Sequence, residues 1–291
     1  MQLAYTNDRD YRNRYPDRCW PCSQFCTREK ILECDLMMIQ LEGQISVQAA
    51  LEARNRRFQL VILKQGLHPT RANPILASAE EQNVPVKFVS VSEIDSMAKG
   101  KTHGGVLALA ESKSPLSADD FVESIPFYGD SPFLLLLEGV DDSQNLGFTL
   151  RTAEAMGVHA VLLKKHLWDF DEAALCRSSS GALERIPMVL FDQTVPMLPG
   201  LKKLGIHIYG SIANSKYTLY DKDLTEPILL CVGGEKRGLS AAVRDHCEAF
   251  IKIPMQSQTG SLSLSHAASI LLGETMRQRF AKREKLISKE F

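Results

Sequence analysis

FLLLLEGVDDSQNLGFTLRTAEAMG (Phe133–Gly157) reads as a strand, a polar turn and the start of a helix in one run. The strand segment is almost wholly apolar, without the alternation that a sheet wet on one face imposes. A strand covered on both faces needs no alternation, and parallel sheets flanked by helices are covered on both. The same unit recurs downstream. Further strands are expected at AVLLK (160–164), IPMVLF (186–191), IHIYGSI (206–212), PILLCVGG (227–234) and FIKIPM (250–255), with helical segments between them. A final helix is expected from about Leu262 to Phe280. Alternating strands and helices of this kind make an α/β, doubly wound parallel sheet, whose functional sites lie at the carboxyl ends of strands.

Upstream, residues 112–131 hold Ser, Asp, Pro and Gly (SKSPLSADD, YGDSP) and are expected to form a linker. Residues 28–111 form a smaller α/β unit. A helical stretch through SVQAALEARNRR leads to a strand, FQLVILK (Phe58–Lys64), and then to a helix in TRANPILASAEEQ with Thr70 as its cap. A strand in VPVKFVS, a short helix near Ser92–Met97 and a strand in GGVLALAE complete it. Residues 1–27 show no periodicity and read as an irregular extension, leaving 132–291 as the larger domain.

The 291 residues are 44% hydrophobic, enough for one large or two ordinary cores. The formal net charge of −1 lacks the basic excess common in nucleic-acid binders, so any RNA contact must rest on local patches. Two exist: Arg9, Arg12, Arg14, Arg18, Arg28 and Lys30, and Arg277, Arg279, Lys282, Arg283, Lys285 and Lys289. Each reads equally as a solvated chain end. No run of 18 apolar residues suits a membrane span, and the N-terminus has no apolar signal region; Asp8, Asp10 and Asp17 break a transit-peptide pattern. A soluble cytoplasmic protein is the expectation. Seven cysteines do not suggest a disulfide framework. Cys19 and Cys22 have C-x-x-C spacing, but the gaps to Cys26 and Cys34 match no zinc or iron–sulfur pattern, and no metal is expected. Cys176, Cys231 and Cys247 sit in apolar runs and read as core residues.

Phosphate motifs are absent. GGEKRG (Gly233–Gly238) has no Gly-Lys-Ser/Thr, no G-x-G-x-x-G follows the first strand, and there is no G-x-S-x-G nucleophile elbow. What remains is three polar loops, each directly after a strong strand. In the first, Asn145 and Arg151 flank Gly147, and a helix beginning near Leu146 would turn Arg151 toward the loop face. An arginine stabilises a developing oxyanion, though on a helix it serves as readily in a salt bridge. In the second, GGEKRGLS, glycines allow close backbone approach and Glu235 sits at the turn; an ordinary turn with Glu235 as a helix cap fits too. The third, IPMQSQTGSLSLSHAAS, offers backbone groups and hydroxyls to a flat heteroaromatic ligand, or simply caps a helix.

Together, in this order, the three loops resemble the signature motifs of the SpoU (TrmH-like) branch of the SPOUT RNA methyltransferases. Asn145, Gly147, Arg151, Thr152 and Ala153 match the first; Gly233, Glu235, Gly238 and Leu239 the second; Ile253, Pro254, Met255, Ser261, Leu262 and Ser265 the third. The unit from LEGQISVQAALEARNR to THGGVLALAE resembles that family's accessory substrate-binding domain. The resemblance implies a trefoil-knotted C-terminal SPOUT domain, S-adenosylmethionine held against the knot, a homodimer whose interface helps form the site, and methyl transfer to a ribose 2′-hydroxyl of rRNA or tRNA. It assigns catalysis to Asn145, Arg151, Glu235 and Ser263, with Glu235 holding its loop and a candidate partner for Arg151. It assigns the cofactor to Gly233, Gly234, Ile253, Met255, Ser261 and Leu262.

One position departs from the pattern. Relatives usually have Asn where this chain has Ser263, whose hydroxyl reaches less far than an amide. His266 in the same loop is either a compensating proton acceptor or a neutral surface histidine. A SPOUT-fold RNA-binding or assembly protein without turnover, and a base methyltransferase, stand as alternatives. The Asn145–Arg151 pair speaks against the first and the pattern of all three loops against the second.

Overall fold

The computed structural model describes residues 38–140, 142–164, 170–191, 197–256 and 261–288. The expected N-terminal extension, with Cys19, Cys22, Cys26, Cys34 and the basic residues 9–30, lies outside them.

The smaller sheet begins with β1 (Met38–Glu42), which the sequence reading does not place, followed by α1 (Gln44–Ala53), β2 (Phe58–Lys64), α2 (Pro69–Glu81), β3 (Val86–Val89), α3 (Val91–Met97) and β4 (Val106–Glu111). Its strand order is β1-β4-β2-β3, with β4 antiparallel to β1 and β2, and β2 parallel to β3. The cap of α2 is His68 rather than Thr70: Pro69 supplies the first helical residue with its fixed φ, and the His68 ring accepts from the Thr70 N–H. The stretch expected as a linker is structured. It holds α4 (Ala118–Ser124), capped by Ser117, and a 3-10 turn at Ile125–Tyr128, with Phe121 and Ile125 buried.

The larger sheet contains β5 (Phe133–Leu137), β6 (Ala160–Lys164), β7 (Met188–Phe191), β8 (His207–Ser211), β9 (Tyr217–Thr218), β10 (Ile228–Val232) and β11 (Ala249–Lys252). Between them run α5 (Ser143–Ala155), α6 (Glu172–Ser178), α7 (Ala182–Arg185), α8 (Met197–Lys203) and α9 (Ala241–Arg244), and α10 (Leu264–Ile287) follows. The strand order is β7-β6-β5-β10-β8-β11-β9 and every pairing is parallel. The apolar run of β5 is explained by its place. Phe133, Leu135 and Leu137 enter one core and Leu134 and Leu136 the other, and all five are buried. The first core continues without a break into the smaller sheet's unit, through Leu41, Val47 and Ala50. Cys176 and Cys231 are buried, and Cys247 is half-buried.

From β5 the chain runs outward one way to β6 and β7, then returns to build the other half, with β10 inserted beside β5. The β5–β10 boundary is therefore the switch point, where an open parallel sheet leaves a crevice at its carboxyl edge.

Candidate active site

All three polar loops emerge at that edge. The first is set by Asp142, whose carboxylate accepts from the N–H groups of Gln144 and Asn145, both at 2.9 Å, and caps α5. The helix thus starts at Ser143, three residues before the expected Leu146. Arg151 therefore lies about two turns into the helix. Asn145 lies in the first turn, whereas Arg151 falls on an exposed face with Gln144 and Phe148, at spacings of four and three.

The first loop touches both others. At the switch point Gly139, with φ +70°, lies against Gly234 so closely that a Cβ on Gly234 would stand 2.4 Å from the Gly139 carbonyl oxygen. Beside it, Glu138 is 3% exposed. It accepts from the Ser240 N–H at 2.7 Å and the Ser240 hydroxyl at 2.9 Å, and pairs with Lys164 at 2.5 Å. This carboxylate ties the ends of β5, β6 and β10 together, and sequence reasoning missed it. The available signal was a charge closing a run of five buried apolar residues, a place where only a paired carboxylate is tolerated.

The second loop turns tightly: the Gly238 N–H donates to the Gly234 carbonyl at 2.9 Å, leaving Glu235, Lys236 and Arg237 exposed at the tip. Ser240, not Glu235, caps the following helix. Glu235 and Arg151 do not pair, and neither takes part in an ion pair among the described residues.

The third loop meets the first through side chains. Ser265 donates to Oδ1 of Asn145 at 3.2 Å, and Ser269 to the Thr152 hydroxyl at 3.4 Å. Ser263 is the N-cap of α10: its hydroxyl accepts from the His266 N–H at 3.4 Å and its carbonyl from Ala267 at 2.9 Å. The same hydroxyl contacts Nδ1 of His266 and lies 3.2 Å from that of Ser265. A continuous polar chain therefore runs from His266 through Ser263 and Ser265 to Asn145. Ile253 and Leu262 are half-buried, and Met255 and Ser261 are exposed. Three members of the C-terminal basic patch make bonds within the chain: Arg277 pairs with Glu274, Lys282 with Glu226, and Arg279 donates to the carbonyls of Ser131, Leu224 and Glu226.

Residues 132–273 match the model of the SpoU rRNA Methylase family, and residues 40–116 match the RNA 2′-O ribose methyltransferase substrate binding domain. The 23S rRNA (guanosine-2′-O-)-methyltransferase RlmB of Escherichia coli strain K12 is 33% identical over 243 residues, 84% of this chain and the whole of that one. The chain belongs to the SpoU family. The RlmB of Neisseria meningitidis serogroup B is 31% identical over 245 residues, 84% of this chain and 97% of its own length. Among solved structures, the SpoU methyltransferase AviRb from Streptomyces viridochromogenes has the same fold, with a TM-score of 0.70 at 24% identity over 88% of this chain and 94% of AviRb. AviRb was also solved in complex with AdoMet.

As a SpoU enzyme, the chain is an S-adenosylmethionine-dependent RNA 2′-O-methyltransferase. Ile253, Met255 and Leu262 give the third loop apolar side chains that stay at least partly exposed, a chemistry that fits an adenine. Among the described residues, no cluster of His, Cys, Asp or Glu could hold a metal ion, and no helix is long and apolar enough to cross a membrane.

Proposed function

We propose that this SpoU enzyme methylates the 2′-hydroxyl of a guanosine in 23S rRNA, in the cytoplasm and as a homodimer. The observation that carries the reading is the match to RlmB over that protein's entire length. The smaller unit (28–111) then holds structured RNA, the knotted domain (132–291) carries catalysis, and 112–131 joins them.

S-adenosylmethionine, when bound, supplies a methyl carbon activated by its sulfonium. Gly233, Gly234, Ile253, Met255, Ser261 and Leu262 would hold it. The ribose hydroxyl is a poor nucleophile, and a fixed cation beside its oxygen stabilises the alkoxide-like transition state. Arg151 fills that role in our reading. It lies on the same exposed helix face as Phe148, which is 52% exposed. Ile270, on the helix packed against α5, is 39% exposed. A second copy covering these apolar residues would bring Arg151 of one protomer to the loops of the other. Asn145 orients the substrate through its amide, Ser263 supports that amide through Ser265, and Glu235 shapes the second loop.

The test is transfer of a radioactive methyl group to 23S rRNA and to tRNA, then nuclease digestion and mass spectrometry of the labelled nucleoside. Label on a guanosine ribose of 23S rRNA is expected. Label on a base, or on tRNA alone, would overturn the assignment.

A further inference from the structure

A second cluster of buried charges lies away from the catalytic loops, between the two sheets. Arg56, between α1 and β2, has a fully buried side chain. It reaches out of the smaller unit and grips Glu184 of α7 through two bonds, Nε to Oε2 at 2.9 Å and Nη2 to Oε1 at 2.7 Å. Nη1 donates to Glu172 of α6 at 2.5 Å and to the Glu111 carbonyl at 3.0 Å. Lys113 is also buried; its ammonium donates to the Leu183 carbonyl and, at 3.0 Å, to that of Ile186, at the end of α7. Glu172 is held from the same side by the Ser112 hydroxyl and by the Lys113 N–H at 2.9 Å. Asn55 donates to the Glu184 carbonyl at 3.0 Å, and Ser46 to that of Cys176 at 3.2 Å. Backbone fits backbone as well: a Cβ on Gly181 would stand 2.5 Å from the Ala49 methyl.

Two cations and two carboxylates make this cluster neutral as a set. Buried ion networks contribute little net stability compared with apolar packing, because desolvation offsets attraction. Their geometry is nevertheless demanding, since a misplaced partner leaves a buried charge unpaired. The helices that receive Arg56 also buttress the catalytic helix. The Ser178 hydroxyl of α6 donates to the Ser143 carbonyl at 3.2 Å, and Gly147 lies so close that a Cβ there would collide with Ser178. A short rigid path therefore joins the smaller unit to the helix bearing Asn145 and Arg151.

We infer that Arg56, with Lys113, Glu172 and Glu184, is an orientation lock that holds the substrate-binding unit at one fixed position relative to α5, so that RNA held by the former is presented to the latter. These are positioning residues. The inference rests on the smaller unit binding RNA, as proposed above. Without the lock, the freedom of the two units must be frozen each time RNA bridges them, which weakens RNA binding and leaves the chemical step alone.

The test is a charge-balanced variant of the full chain, Arg56→Met with Glu184→Gln, which removes one charge of each sign and leaves Lys113 and Glu172 to balance each other, alongside the milder Lys113→Met. The first readout needs no activity: the distance distribution between spin labels carried by encoded residues at Ser92 and Asp245. It should be narrow in the parent and broad in the variant, and equal widths would overturn the lock even if no RNA proves to be a substrate. The second readout is kinetic: KM for 23S rRNA should rise about tenfold with kcat at saturating RNA little changed, the signature of lost uniform binding. A variant whose S-adenosylmethionine affinity falls along with RNA turnover would show that the cluster supports the catalytic fold instead, and would also overturn the proposal. Should the double variant fail to fold, Lys113→Met carries both readouts in the same direction.

Discussion

The Ser265 hydroxyl donates to Oδ1 of Asn145 at 3.2 Å, joining residues 120 apart in sequence at the heads of two packed helices. The bond fixes which way the amide faces. With Oδ1 accepting from Ser265, Nδ2 points the other way and has no acceptor among the described residues, so it is left to donate to a ligand. Ser265→Ala should let the amide rotate and lower kcat by about five- to tenfold, the effect of one hydrogen bond of roughly 1 kcal/mol. Asn145→Ala should cost more, and the double variant should be no worse than Asn145→Ala alone. Additive losses in methyl-transfer rate would show that the two residues act separately.

Ser263 stands where the family resemblance leads to an expectation of Asn, and its place in the structure removes most of the contrast. It caps α10, a task that Ser and Asn perform about equally well and Ala does not. Ser263→Asn should leave the melting temperature nearly unchanged, whereas Ser263→Ala should destabilise by about 1 kcal/mol in chemical denaturation. The rate separates the two roles of this residue. If Ser263→Asn raises methyl transfer, the shorter side chain is a catalytic handicap; if the rate is unchanged, capping is what the position requires.

Much of the larger sheet was legible because burial on both faces leaves a mark that needs no partner to be read: the run Phe133–Leu137 and the five strands expected after it appear at nearly their expected bounds, whereas the two-residue edge strand β9 was not expected. The strand β1 was not legible, because Met38–Glu42 is a short edge strand whose partner, β4, lies about seventy residues on. The three loops were legible as loops, but not their mutual contacts. Asp is a preferred N-cap, so Asp142 carried a local signal for a helix start at Ser143, three residues ahead of the expected one, but the exposure of Arg151 depends on packing that no local signal gives. Glu138 and Arg56 stayed hidden for a related reason: a charge in sequence says nothing of the buried partners that long-range packing brings to it.

Arg151 has no hydrogen-bond or ion-pair partner among the described residues, so removing it should cost the fold little. Arg151→Ala is expected to keep the parent unfolding free energy within about 0.5 kcal/mol, as at other surface positions, and to bind S-adenosylmethionine with nearly parental affinity while losing methyl transfer. Arg151→Lys should recover little, because an ammonium lacks the planar fork of the guanidinium. In a mixture of Arg151→Ala chains with chains defective at Asn145, hybrid dimers should regain activity if the arginine serves the partner's site. No recovery, with subunit exchange confirmed, would place Arg151 and Asn145 in the same protomer's site.

His159 gives the enzyme an acid-sensitive contact at the opposite edge of the sheet. Its Nδ1 accepts the Phe133 N–H at 2.9 Å, fixing the neutral tautomer with the proton on Nε2, and its ring stacks on Tyr128 with centroids 5.2 Å apart. Burial, reinforced by the nearby Arg279, pushes its pKa down to about 4. In the unfolded chain the imidazole takes up a proton near pH 6.5, whereas in the folded chain it does so only near pH 4, so the unfolded state binds more protons throughout that interval. Stability must therefore fall as pH drops below about 6.5. This one group should remove about 2 kcal/mol between pH 7.5 and pH 5, with the loss levelling off below about pH 4. His159→Asn, which keeps an acceptor for the Phe133 N–H but does not titrate, should flatten that limb in urea denaturation followed at both pH values. A parent and a variant with the same pH dependence would assign the acid sensitivity to other groups.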